Sequence, residues 1–146
     1  MKPPAMSVNE LTQALSAEFP HLFQRNGKDG SYVIEDVQHG RARVRRRYHS
    51  TSLRPGGTLS GATMMELADV AMYVALLGAI GWVPLAVTTN LNINFLRKPA
   101  QCDLVAEAKL IKLGKRLAIG DIGVRSEGEE DLVAHATATY SIPSRD

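Results

Sequence analysis

Between Ala62 and Leu77 the chain carries only two charges, Glu66 and Asp69, and its alanines, methionines, leucines and valines fall on every side of a helix. A helix that is apolar all round is not stable with one face in water; it is either the centre of a folded core or a membrane span. The uncharged run from Val70 to Leu96 is 27 residues long, which passes the length test for a span. But Gly78, Gly81 and Pro84 interrupt it, and Asn90, Asn92 and Asn94 fill its end. A helix from about Ser60 to Leu77, then a turn, then a strand, accounts for the run better. Ser60 is a good residue to cap the first turn. The rest of the chain must therefore supply something that wraps a central helix.

The period changes after the helix. Val87, Thr89, Leu91, Ile93 and Phe95 alternate with Thr88, Asn90, Asn92 and Asn94, the two-residue repeat of a strand. Asp103–Leu113, Leu117–Arg125 and Leu132–Ile142 continue as an antiparallel meander with turns at Gly114 and Gly128. Ala106, Ala108, Ala118, Gly120, Ala134, Ala136 and Ala138 are small, so a helix is expected to sit close on this sheet. Before the helix, Tyr32–Gln38 and Arg41–His49 read as two strands joined at His39-Gly40. A Ser, Pro and Gly-rich loop covers His49–Leu59. Two strands, one helix and four strands give no βαβ alternation, so a parallel sheet is not expected. The fold class is α+β, with one antiparallel sheet wrapped around one long central helix. Residues 31–146 form that domain. Residues 1–30 are a lead-in carrying a short helix near Val8–Phe19, which Pro20 ends.

With 146 residues, 45% apolar and 22% charged, the chain has the makeup of one globular domain. A net charge of +2 gives no argument for nucleic acid, and no membrane partner is expected. The start, MKPPAMSVNEL, lacks the apolar core of a signal peptide, and a single cysteine, Cys102, excludes an internal disulfide. These features suit a cytoplasmic protein. His21, His39, His49 and His135 show no metal-ligand spacing, and no G-x-S-x-G serine motif is present. The arginine-rich strand, Arg41 to Arg47, reads as a solvated face or as an anion-binding one.

Chemistry is expected where the central helix breaks its own rule. Glu66 and Asp69 are three apart on one helix face, and a buried carboxylate is costly unless paired. One of them facing a cleft as base or nucleophile is the functional reading. The alternatives are pairing by strand arginines, or a wet subunit interface. The start of the helix is the second feature. Arg54-Pro-Gly-Gly-Thr-Leu-Ser-Gly61 ends at a helix N-terminus, where unpaired N–H groups and the positive dipole end favour an oxyanion. Gly61 lets a carbonyl approach its N–H. Gly61 and Asp69 are eight residues apart, about 12 Å along a helix axis. One carbonyl cannot touch both groups of the same helix. If both act on it, two antiparallel helices of a dimer must supply them.

The motif GGTLSG-x7-D, followed by VTTNLNINFLRKP, resembles the hotdog-fold acyl-CoA thioesterases of the PaaI type, within the 4-hydroxybenzoyl-CoA thioesterase superfamily. Leu67-Ala68-Asp69-Val70-Ala71 and Asn92-Ile93-Asn94-Phe95-Leu96-Arg97 carry the likeness. The resemblance implies a hotdog fold, a homodimer or dimer of dimers, and hydrolysis of acyl-CoA thioesters without metal or organic cofactor. It implies Asp69 as the carboxylate that activates water or attacks, and Gly61 as the oxyanion N–H. Thr88 would position the water, and Ser60 stands where the family motif has histidine. Ala62 replaces the second glycine. Arg54 falls at the family's loop Asn or Gln position. Arg97 and Lys98 would bind the CoA phosphates, with Lys115 and Arg116 beside them. Glu66, Tyr73 and Asn90 complete the substrate site, the acid pocket being lined by Met65, Met72 and Tyr73. A non-catalytic acyl-CoA binder is one alternative, given Ser60. An acyl-thioester hydratase or dehydratase is the other, because Glu66 lies five residues after Gly61.

Overall fold

The computed structural model describes residues 2–23, 31–48, 53–54 and 58–144, with the side chains of residues 53, 54 and 58 left out. A six-stranded antiparallel sheet runs in the order β1-β2-β6-β7-β8-β5. Its strands are β1 (Tyr32–Gln38), β2 (Arg41–Arg46), β5 (Val87–Phe95), β6 (Leu104–Leu113), β7 (Leu117–Ser126) and β8 (Leu132–Ser141). A separate two-stranded pair, β3 (Leu53–Arg54) with β4 (Thr58–Leu59), sits in what the sequence presents as loop. Helix α1 spans Val8–Glu18 and the long helix α2 spans Gly61–Ile80.

The sheet wraps α2, as expected of a hotdog fold. Met72 and the helix around it are buried against Ala106, Ala118, Ala136 and Ala138 on the inner face. The approach is close enough that a Cβ on Gly120 would lie 2.2 Å from Met72 Sδ, so a side chain there would displace the buried Met72. α2 passes the length and hydropathy test for a membrane span, yet more than half of it is buried inside the fold. Its composition is that of a core helix. Gly78 does not interrupt it: the helix runs on to Ile80 and stops at Gly81, whose φ is +93°.

α1 belongs to the same core. A capping box between Ser7 and Glu10 starts it, and Leu11 and Leu15 are fully buried. The Ala5 N–H donates to the Gly78 carbonyl at 2.7 Å.

Of the β2 arginines, Arg43 and Arg45 are paired with acidic side chains. Arg45 reaches Glu35 at 2.7 Å, Asp103 at 3.2 Å and Glu127 at 2.6 Å, and Arg43 shares Glu35. Arg46 lies over the Tyr32 ring.

Strand β5 is the exposed edge of the sheet. Only Leu91 and Ile93 of its nine residues are half-buried, and Val87 and Phe95 are each at least half exposed. Strict alternation would put Thr88 on the same face as the three asparagines. It does not hold, because a bulge lies between Thr88 and Asn90. Thr88 pairs with Tyr140, whereas Asn90 pairs with Thr139 and Leu91 with Ala138. The extra residue turns Thr88 inward with Leu91, Ile93 and Phe95.

Candidate active site

Asp69 lies near the middle of α2, half-buried, under the start of β5. Its Oδ1 accepts two hydroxyl hydrogen bonds, from Thr88 Oγ1 at 2.6 Å and from the Tyr140 hydroxyl at 2.8 Å. The bulge in β5 makes the first bond possible; β8, paired beside it, brings the second. Two donors on one oxygen fix the carboxylate's orientation, and no described residue bonds Oδ2. Burial, followed by the charge of Asp69, pushes the Tyr140 hydroxyl well above the usual tyrosine range. Tyr140 therefore stays protonated and remains a donor through neutral and mildly alkaline pH. Its ring stacks on Tyr73 at 6.0 Å between centroids.

These groups border a cavity of about 460 Å³. Glu66, Asp69, Val70 and Tyr73 form one stripe of α2 along it. Opposite them stand the 84–88 segment and Tyr140, and Leu15, Phe19, Leu22 and Phe23 close the side toward α1. The Tyr73 hydroxyl donates to the Pro84 carbonyl at 3.0 Å and ties the helix to the segment leading into β5.

Glu66 is exposed rather than buried in this chain, so the cost of burying a second carboxylate does not arise. Its Oε1 accepts from the Tyr32 hydroxyl at 2.5 Å. Tyr32 is pushed upward by burial first, then by this bond to Glu66 and its charge, with Arg46 opposing. No arginine neutralises Asp69 among the described ion pairs.

The remaining expected residues are dispersed. Ser60 caps α2: its Oγ accepts from Thr63 N–H at 3.1 Å and shares a hydrogen bond with Thr63 Oγ1 at 2.9 Å. Gly61 opens the helix, and a Cβ there would come within 3.0 Å of Phe95 Cζ. Ser60 and Gly61 therefore lie at the far end of β5 from Thr88. Arg54 lies in β3, and its side chain is outside the described residues. Asn90 points to the outer row of the sheet and does not line the cavity. Arg97 follows the Phe95 end of β5 and pairs with Asp131 at 3.2 Å in the open; Lys98 is exposed beside it. Lys115 and Arg116 sit in the β6–β7 hairpin. That hairpin is at the opposite end, because Leu117 pairs with Ser141 and Ser141 with Val87. Arg116 Nε donates to the Ile142 carbonyl at 2.9 Å. Of the expected acid-pocket residues only Tyr73 lines the cavity. Met72 points at Gly120 of the sheet, and Met65 does not border the cavity. Tyr140 and the α1 residues reach the cavity although their pattern reads only as core.

An antiparallel sheet wrapped around one long helix is a hotdog fold, and here a carboxylate held by two hydroxyls borders a cavity in it. The model of the Thioesterase superfamily matches residues 56–133. The chain belongs to that superfamily, and thioester hydrolysis is the general activity this membership supports. A solved Silicibacter sp. TM1040 protein, provisionally named a thioesterase, is 42% identical with TM-score 0.84, covering 97% of this chain and 94% of that one. A point mutant of the phenylacetic acid degradation protein PaaI from Thermus thermophilus is 25% identical with TM-score 0.68, over 77% of this chain and 94% of its own. An acyl-coenzyme A thioesterase of Bos taurus is 34% identical over 85 residues, which are 58% of this chain and 33% of that protein.

Proposed function

We propose that the protein hydrolyses acyl-CoA thioesters, with Asp69 as general base. The observation that carries this is the Asp69 carboxylate, anchored through Oδ1 by Thr88 and Tyr140 at the edge of a largely apolar cavity. Water on the free side of the carboxylate gives up a proton to Asp69 as its oxygen bonds to the acyl carbon. The C–S bond then breaks, and the proton passes on to the departing CoA thiolate. Thr88 orients the carboxylate rather than the water. The likeness to an acyl-coenzyme A thioesterase supports CoA as the carrier.

The oxyanion donor is the Gly61 N–H of a second copy. The edge strand supports this. β5 offers an unpaired row of backbone groups with exposed Val87 and Phe95, the kind of edge that pairs with another chain. Thr88 marks the Asp69 end of β5 and Phe95 the Gly61 end. Two β5 edges pairing antiparallel about a two-fold axis between Leu91 and Asn92 set Thr88 opposite the partner's Phe95. The partner's Gly61 then comes to Asp69. The same pairing gathers Lys115 and Arg116 of one chain with the partner's Arg97 and Lys98, four cations for the CoA phosphates. The Asp131 contact does not tie up Arg97, since exposed ion pairs contribute little. A CoA thioester substrate suits a cytoplasmic protein.

The test is a panel of acyl-CoAs with release of free thiol as the readout. Asp69→Asn should lower turnover by about a hundredfold or more, as for loss of a general base. Thiol release retained in Asp69→Asn but lost in Glu66→Gln would make Glu66 the hydrolytic carboxylate, whereas hydration of an enoyl-CoA without thiol release would favour hydratase chemistry. No turnover by the wild-type chain on any member would leave a binder, in which Ser60 only caps the helix.

A further inference from the structure

We infer that α1 and the turn after it form the far wall of the acyl pocket, and that Phe19 sets how long an acyl chain the enzyme accepts. The inference rests on the thioesterase reading and adds the substrate class: neutral, apolar acyl groups of limited length. Two stripes face each other across the cavity. From α2 come Glu66, Asp69, Val70 and Tyr73, with the Glu66 carboxylate held by the Tyr32 hydroxyl; from α1 and its C-terminal turn come Leu15, Phe19 and Leu22. The α2 residues follow helical spacing and share one face, and on the other side Leu15 and the C-cap Phe19 are joined by Leu22 from the turn after the helix. The polar side chains, Glu66, Asp69, Thr88 and the two tyrosines, stand on α2 and the strands, and the α1 side offers only carbon. An acyl group whose carbonyl is held at Asp69 must run past Val70 and Tyr73 toward Phe19. Glu18 lies close enough to Tyr73 for its charge to raise the tyrosine hydroxyl, after burial, which places the end of α1 over this stretch of α2.

The wall is built to stay in place. Leu11 and Leu15 are fully buried, and the Phe23 carbonyl accepts a hydrogen bond from Ser16. The Phe23 ring packs on Tyr32 at 5.7 Å, and Tyr32 N–H donates to the Leu22 carbonyl at 2.9 Å. Phe19 alone is at the rim, 38% exposed, as the residue that closes α1. Its ring is thus the one part of the wall that can be cut back without removing a core residue.

The experiment measures binding of unbranched S-alkyl thioethers of CoA, from two to fourteen carbons, to the wild-type protein and to Phe19→Ala, Phe19→Trp and Leu22→Ala. The same alkyl series on N-acetylcysteamine, which has no nucleotide, is run in parallel. Wild-type affinity should rise about fourfold per buried methylene and then level off where the chain meets Phe19. Phe19→Ala and Leu22→Ala should move that plateau out by two or more carbons, with roughly tenfold tighter binding of the longest chains. Phe19→Trp should pull it in. A plateau at the same chain length in Phe19→Ala and Phe19→Trp, on both carriers, overturns the wall. If the N-acetylcysteamine series shifts as expected while no acyl-CoA is hydrolysed, the wall stands and the hydrolase reading falls.

Discussion

Oδ1 of Asp69 receives two hydroxyl donors from two different strands, and each removes a different freedom of the carboxylate. The bond from Thr88 ties it to β5, and the bond from Tyr140 ties it to β8. A hydrogen bond to a charged group is worth about 1.5–3 kcal/mol, roughly a tenfold or larger effect if its role is to hold the base in place. Tyr140→Phe keeps the ring on Tyr73 and removes only the hydroxyl; Thr88→Val removes the other donor in a similar volume. Each should lower kcat about tenfold with little change in KM, and the double variant should approach Asp69→Asn. Steady-state kinetics of the four proteins checks this, and a change confined to KM would contradict it. Thr88 and Asp69 were legible in the sequence, Asp69 from its charge in an apolar helix. The inward turn of Thr88 was not, because a single bulged residue leaves an alternating pattern intact to the eye while reversing one side chain. Tyr140 was hidden for a related reason. It follows Ala134, Ala136 and Ala138 on the core face, and nothing in that pattern separates a core tyrosine from one that donates to a carboxylate.

At the scale of elements, the small residues of the sheet and the length of α2 are two sides of one constraint. The helix is apolar on every side because the sheet and α1 together surround much of it, and the sheet is small-faced because the helix comes close. Gly78 belongs to this packing. A Cβ there would lie 2.6 Å from Val37 Cγ1, on a stiff β-branched side chain of β1. Alanine is favoured over glycine within a helix by about 1 kcal/mol. Overpacking typically costs about 1–3 kcal/mol, so the clash should win. Gly78→Ala is expected to lower stability despite its better helix propensity, read as a lower denaturant midpoint at unchanged slope. A gain in midpoint would mean that β1 yields easily. The sequence presents Gly78 as an interruption, since glycine in a helix usually weakens it; only the neighbour across the gap explains it. The β3–β4 pair was equally invisible, because two residues are too few to display a period. α1 could be read as a helix from Leu11 and Leu15, but its place beside the cavity depends on a tertiary contact.

For the molecule as a whole, the single chain is an incomplete enzyme in the reading proposed above. Its carboxylate lies near the middle of α2 and its oxyanion donor at the N-terminal end, about 12 Å apart on the helix axis. Gly61→Pro removes the donor N–H. Proline suits the first helical position, and Ser60 before it has φ −76° and ψ 154°, the extended conformation that a pre-proline residue prefers. The added ring carbons press on Phe95 at 3.0 Å, but only on the tip of a half-exposed ring. Native mass measurement of Gly61→Pro should therefore give the same assembly as wild type. Asp69→Ala removes the carboxylate. Each variant alone should be inactive, since every site lacks one component. Unfolded together and refolded, the two chains should pair at random, making about half of the dimers mixed. Each mixed dimer holds one site with both components and one with neither, so activity should return to about a quarter of the wild-type level. Absence of recovery, with mixed dimers confirmed by mass, would mean that Gly61 and Asp69 do not meet across two chains. The oxyanion donor would then have to be sought on the same chain as the base.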